Sequence, residues 1–296
     1  MTVPFRTTER WLCAATPTGL QGDLNRLGTL RRQLSSGKMI SRPSDSPTGT
    51  ASAMRLRGDI RRLRQYARNA EDGKGWLATV DRALSSGVGM VHRVRDLVLQ
   101  GMFPRTADPG ARAALATEVD SLRESLLGLA NASYLDRPVF GGTTASPRAY
   151  DQNGSYLGDS GAVLRTVSGR ARIRVDTAGP AAFGTGPVQL FTVLSAISAD
   201  LRGNPGNLSA DLARLETSMQ AMQGQLAEVG GRYDRIARSG RAAADHLTDL
   251  QSALSEVEDV DLAKTITELR LQQTAYQTAL GATAQVAQPS LIDFLR

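Results

Sequence analysis

The stretch "LARLETSMQAMQGQLAEVGGRYDRIARSGRAAADHLTDLQSALSEV", Leu212 to Val257, decides the fold. Its apolar residues are Leu212, Leu215, Met219, Met222, Leu226, Val229, Tyr233, Ile236, Ala243, Leu247, Leu250, Leu254 and Val257, with Gly240 the one weak position. They fall mostly in alternating steps of three and four, which keeps one side of a helix apolar against a partner helix. At about 1.5 Å per residue the pattern predicts a helical segment of roughly 70 Å, part of a rod rather than of a compact globule. The phase slips at "EDVDLAK" (258–264), after which Leu262, Ile266, Leu269, Tyr276 and Leu280 begin a new stripe. Such a slip marks a boundary between two helical units.

The N-terminal half mirrors this order. Leu20, Leu24, Leu27 and Leu34 form a short stripe, and a longer one runs through Leu56, Ile60, Leu63, Ala67, Ala70, Leu77, Leu84, Val88, Val91 and Val98. Between them lies "LSSGKMISRPSDSPTG" (34–49), where Gly37, Pro43 and Pro47 exclude a continuous helix. Asp45 or Ser46 is the expected N-cap of the second helix, with Pro47 in its first turn. "SGK" here is not a phosphate loop. That motif needs Gly, Ser or Thr and an upstream strand where this chain has Arg32, Met39 and a helical pattern. A further helix start is expected at "TADPGARAAL" (106–115), with Asp108 and Pro109 opening a stripe of Leu115, Val119, Leu122, Leu126 and Leu129.

Between Tyr134 and Asn207 the character changes to Gly, Thr, Ser, Pro and short alternating runs, "AVLRTV" and "ARIRVD". These predict small antiparallel strands, with "DQNGSY" as a hairpin signal. Asp151, Asp159 and Asp176 read as turn residues there, and the N-x-Ser triplets at Asn131, Asn153 and Asn207 as surface turns. The expected class is mainly α with a β-rich insertion: a coiled-coil rod built from both ends of the chain and a small central β domain. The segments are 1–34 (inner helix), 35–46 (linker), 47–133 (rod), 134–207 (β-rich domain), 208–258 (rod) and 259–296 (inner helix).

Composition narrows the function. The chain of 296 residues is 41% hydrophobic and 5% aromatic, which suits Leu, Ala and Val helix packing. No run is apolar enough for a membrane span, so no membrane is expected as a partner. The first twenty residues hold Arg6, Glu9 and Arg10 and no apolar block, so the expectation is a cytoplasmic chain or export without a cleavable signal. Cys13 is the sole cysteine and reads as an apolar filler. His92 and His246 are far apart, and no acid pair, Cys/His dyad or Gly-rich fingerprint is visible; neither a metal, a cofactor nor an enzyme is expected. A net charge of +6 and the cluster Arg55, Arg57, Arg61, Arg62, Arg64 and Arg68 raise nucleic acid as an alternative partner. Tyr66 is the cluster's only aromatic, and scattered Arg is ordinarily a solvated helix face, so no nucleic acid is expected.

The stretch from Leu30 to Gly87, including "RPSDSPTGTASAMRLRGDIRRLRQYARNAEDGKGWLATVDRALSSG", resembles the N-terminal conserved region of the bacterial flagellin family. "SALSEVEDVDLAKTITELRLQQTAYQTALGATAQVAQPSLIDFLR" (252–296) resembles its C-terminal region. Within the family the details resemble the hook-filament junction (hook-associated protein 3) branch: "RPSDSP", "LQQTAYQTAL", "SLIDFLR", and "RPVFGGT" followed by "YLGDSG". Residues 1–17 keep only a trace of the family opening, in "FRTTER".

The resemblance implies a structural, non-enzymatic subunit of the extracellular flagellum, exported without a cleaved signal. It implies an inner terminal-helix pair whose interface residues are Leu20, Leu24, Leu27, Leu34, Leu262, Ile266, Leu269, Tyr276 and Leu280, and a linker marked by Gly37, Pro43, Asp45 and Pro47. The implied partners are copies of itself in a ring or helical layer, flagellin, the neighbouring hook-associated junction protein and an export chaperone. Two alternatives stand beside it: the flagellin filament subunit itself, and an Arg-rich coiled coil that binds nucleic acid.

Overall fold

A computed structural model describes residues 5–103 and 108–287, with side chains over 19–103 and 108–284. The side chains of Trp11 and Cys13 and the tail "SLIDFLR" lie outside the described residues. In chain order the helices are α1 (Phe5–Ser36), α2 (Pro47–Met102) and α3 (Pro109–Ala130), then short strands β1 (Ser133–Tyr134), β2 (Arg137–Pro138), β3 (Leu164–Thr166) and β4 (Arg172–Arg174). There follow α4 (Gly179–Phe183), α5 (Leu190–Arg202), α6 (Leu208–Glu258) and α7 (Leu262–Ala287). The fold is therefore mainly α with a few small antiparallel strands. Two compact units divide it, 1–61 with 248–296, and 62–247.

The core of the 62–247 unit is one continuous cluster. α6 feeds it with Leu208, Leu215, Met222, Val229 and Ile236, each seven residues after the last and each buried. That is the heptad seam at its strictest, one position per two turns. α2 answers with Trp76, Leu77, Val80, Leu84, Val91, Val94, Leu97 and Val98. Gly240, the gap in the sequence pattern, is a close approach: a Cβ there would sit 3.3 Å from that of Ala70.

α3 begins as its sequence dictates. Asp108 accepts a hydrogen bond from the Ala111 amide at 3.1 Å, and Pro109 opens the first turn. At the other end Asn131 is fully used: its amide donates to the carbonyls of Leu127 and Tyr150, and its oxygen accepts from the amides of Ala149 and Tyr150. It is thus a half-buried joint rather than the surface turn expected of it.

The central interval contains the expected strands β3 and β4, paired antiparallel, and "DQNGSY" closes through a bridge between Tyr150 and Tyr156; the antiparallel pair β1 and β2 ahead of them was not expected from the sequence. Its largest element is nevertheless a helix. α5 packs on α3 through Leu190, Leu194, Ile197 and Leu201, all buried at helical spacing. Asp176 is no turn residue. It is fully buried, accepting from the Val163 amide at 2.7 Å and from Arg174 at 2.8 Å, while its carbonyl accepts from Arg232 at 2.8 Å. Asp151 and Asp159 do hold turns, bonding the amides of Ser155 and of Thr143 and Gly161.

Candidate assembly interface and linker

α1 and α7 pack against one another within the 1–61 and 248–296 unit. On α1 the covered side runs through Leu20, Asp23, Leu27, Leu30 and Leu34, in steps of three and four, with Leu27 and Leu30 buried. On α7 it includes buried Thr265 and half-buried Leu269, Gln272 and Tyr276. The polar positions are paired: Gln272 Nε2 donates to Asp23 Oδ1 at 2.7 Å. A single polar pair inside an apolar seam favours one register, because sliding by a turn would leave both groups facing hydrocarbon.

The structure brings Leu20, Leu27, Leu34, Leu269 and Tyr276 to the partly or wholly covered sides of the two helices. It leaves Leu24, Leu262, Ile266 and Leu280 outside, exposed by 44%, 52%, 44% and 43%. Leu271 is further out at 71%. Leu30 joins the seam although the sequence stripe passed it over. Asp23 hid it, since a carboxylate at the intervening step disguises the spacing that makes Leu20, Leu27, Leu30 and Leu34 one set.

The linker is built from the residues that forbid helix. Gly37 ends α1 at φ 67°, its amide bonded to the Gln33 carbonyl at 2.9 Å, the left-handed cap that glycine adopts without a Cβ penalty. Pro43 lies in the bend that follows. Asp45 folds this bend by accepting from the amides of Ser41 and Arg42 at 3.0 and 2.8 Å, and those two bonds hold its carboxyl below the usual carboxylate range. Ser46, not Asp45, caps α2: its hydroxyl accepts from the Gly49 amide at 3.1 Å, and Pro47 is the first helical residue.

The linker and the break between α6 and α7 are tied directly. Met39 N donates to Glu258 O at 2.7 Å and Val260 N to Gly37 O at 3.0 Å, a one-residue antiparallel bridge between Lys38 and Asp259. Lys38 Nζ lies 2.5 Å from Asp259 Oδ1 and 3.6 Å from Glu258 Oε2, and Arg57 reaches the same Glu258 oxygen at 2.8 Å. The Glu258 side chain is 4% exposed and meets two cations, which is what keeps a covered carboxylate tolerable. The Asp259 hydrogen bond raises the Lys38 pKa, and Lys38 with Ser255 lowers that of Asp259. Lys38 is thus a structural clamp, and Arg57, one of the clustered arginines, is committed to an acid of the chain. No signal in the sequence links residues 221 positions apart, beyond opposite charge at two helix breaks.

Nothing in this arrangement sets up proton transfer or nucleophilic attack; it offers apolar side chains and a fixed joint. Among the described residues no group of three or more His, Cys, Asp or Glu could hold a metal ion, and no helix is long and apolar enough to cross a membrane.

Comparison with known proteins places the chain. The profile of the bacterial flagellin N-terminal helical region matches residues 13–144, and that of the bacterial flagellin C-terminal helical region matches residues 212–295. Flagellin of Bacillus subtilis is 23% identical over 273 residues, covering 86% of this chain and 88% of that protein. Flagellar hook-associated protein 3 of Salmonella typhimurium is 22% identical over 305 residues, covering 94% and 95%. In fold the chain is similar to FlgL of Bacillus cereus, with TM-score 0.60 and 18% identity over 68% of this chain and 99% of that one. It is also similar to flagellar hook associated protein-3 of Legionella pneumophila, with TM-score 0.61 and 13% identity over 68% and 98%. With both helical regions matched, flanking a central region of small strands, the chain belongs to the bacterial flagellin family and is a structural component of the bacterial flagellum.

Proposed function

We propose that the chain is the junction subunit between hook and filament. Copies form a ring or helical layer that meets a neighbouring hook-associated junction protein on one side and flagellin on the other. The observation that carries this reading is the terminal helix pair, which exposes Leu24, Leu262, Ile266, Leu271 and Leu280 around a formed seam. Apolar side chains gathered on one helix pair are a surface awaiting cover, and lateral copies in a closed or helical array would supply it. In the secretion path the same stripe would be held by an export chaperone, and the chain would leave the cell without a cleaved signal.

Identity alone does not choose between junction protein and flagellin, since the matches to both are near 23%. The block "RPVFGGT", the tail "SLIDFLR" and the fold likeness to hook-associated proteins favour the junction. The filament-subunit reading rests on the flagellin match. Deleting the gene and imaging the cells tests both. A junction subunit leaves hooks without filaments, and the tagged protein labels a short zone at the filament base. Filaments that persist would refute the junction role, and label along the whole filament would favour the second reading.

A further inference from the structure

β1 and β2 are joined by two residues, Leu135 and Asp136, both at positive φ, 48° and 60°. A two-residue hairpin turn demands this geometry, and Asn or Gly meets it at least cost. A leucine there is uncommon, and this one is 74% exposed, so neither the turn nor packing within the chain accounts for it. The tip is also firmly held. Tyr134 packs its ring 5.7 Å from that of buried Trp76, and the Arg137 guanidinium lies 5.8 Å from the same ring.

The unit also carries a groove of about 600 Å³ between α2 and α6. Ala78, Val229 and Tyr233 give it an apolar lining, with Asp81, Arg82 and Asp234 as its charges. The hairpin and the groove occupy different flanks of α2. At about 100° per residue, Asp72 and Gly75, which face the strand region through Arg165 and Tyr134, are separated from Asp81 and Ser85 by the exposed ridge of Glu71 and Gly89. A knob on one flank and a socket on the other make a head-to-tail contact, which closes into rings or continues as a helix.

We propose that Leu135 of one copy seats in the groove of a second copy, against Ala78 and Tyr233, with Arg137 facing Asp81 and Asp234, and Asp136 facing Arg82. Each charge of the tip then meets an opposite charge of the groove. The contact rests on the self-assembly reading above and adds to the terminal pair a second surface between copies.

The test is disulfide trapping in intact flagella from cells making the full chain, with Cys13→Ser as background. Leu135→Cys is paired with Gly230→Cys, a site where an added Cβ meets nothing within 4 Å. Expected is a ladder of dimers, trimers and higher forms, lost with either cysteine alone. A dimer without higher forms would show mutual pairing and overturn the head-to-tail contact; a bond to another flagellar protein would overturn the choice of partner. Leu280→Cys with a flexible bis-maleimide reports self-association independently. If it links copies while the 135–230 bond fails, this contact is wrong and self-assembly stands; if neither forms, both fall. Leu135→Gly separates folding from contact, because glycine accepts positive φ freely. It is expected to melt no lower than the native chain yet to reduce filament-bearing cells about tenfold or more. Unchanged filament number would overturn the proposal.

Discussion

Asp211 has no exposed surface, and Arg214, one turn later on α6, is its ionic partner. Burial, joined by the neighbouring Asp200 carboxyl and opposed by Arg214, holds its pKa above the ordinary 3.8. The unfolded chain gives up this proton first. Native stability therefore falls as pH rises from the unfolded value through the raised one, and Asp211→Asn is spared that loss. Between pH 4 and pH 7 the melting temperature of Asp211→Asn is expected to gain on that of the native chain; a difference constant with pH would refute it. The clamp has the opposite shape. Asp259 titrates below 3.8 and Lys38 above 10.5, so their contribution is lost as pH falls through the first or rises through the second. Hydrogen exchange at the amides of Met39 and Val260, taken relative to the unprotected rate at each pH, is expected to stay slow across the interval and to quicken in acid. In Lys38→Ala it should be fast at neutral pH, and protection equal to the native chain's would remove Lys38 from the joint.

At the scale of elements, what the sequence makes legible is whatever repeats or whatever breaks. Heptad spacing located α6 because every seventh residue from Leu208 to Ile236 must be apolar to be buried. Gly37, Pro43 and Pro47 located the linker because each forbids a helical neighbour. α5 was illegible for the reverse reason. It is a short helix inside a Gly- and Pro-rich interval, and its apolar residues are dense enough to mask the period. The Leu135–Asp136 turn was hidden too, since its residues are not those the geometry prefers. Gly75 shows how closely such elements meet: a Cβ there would lie 2.6 Å from the Tyr134 hydroxyl and 2.9 Å from its ring. Gly75→Ala should thus destabilise the chain by about 1–3 kcal/mol through overpacking, less the ~1 kcal/mol that alanine gains in a helix. Urea unfolding measures it, and combining the change with Tyr134→Ala should remove most of the loss. A loss that persists in the double variant would place the clash elsewhere.

Over the whole molecule, the core and the apolar surface of the terminal helix pair are drawn from different parts of the chain. Every residue of the core cluster falls between Ala70 and Ile236, inside the 62–247 unit. The helix pair α1 and α7 contributes none of them and leaves apolar side chains in solvent. A pair joined by one short seam holds its hydrogen bonds less firmly than a helix anchored at every heptad. In dilute monomer, amide exchange over Leu20 to Leu34 should therefore be faster than around Leu226. Removing Leu262 to Arg296 should leave the main melting transition within a few degrees of the native one, because no core residue is lost. It also spares Asp259, so the bridge to Lys38 can still form. The truncated chain should nevertheless fail to restore filaments to a strain lacking the gene, since Leu262, Ile266, Leu271 and Leu280 go with the segment. A truncated chain that melts far earlier would place α7 in the core, and one that restores filaments would make the terminal pair dispensable. Either outcome would break the separation between the unit that holds the core and the terminal pair that filament assembly needs.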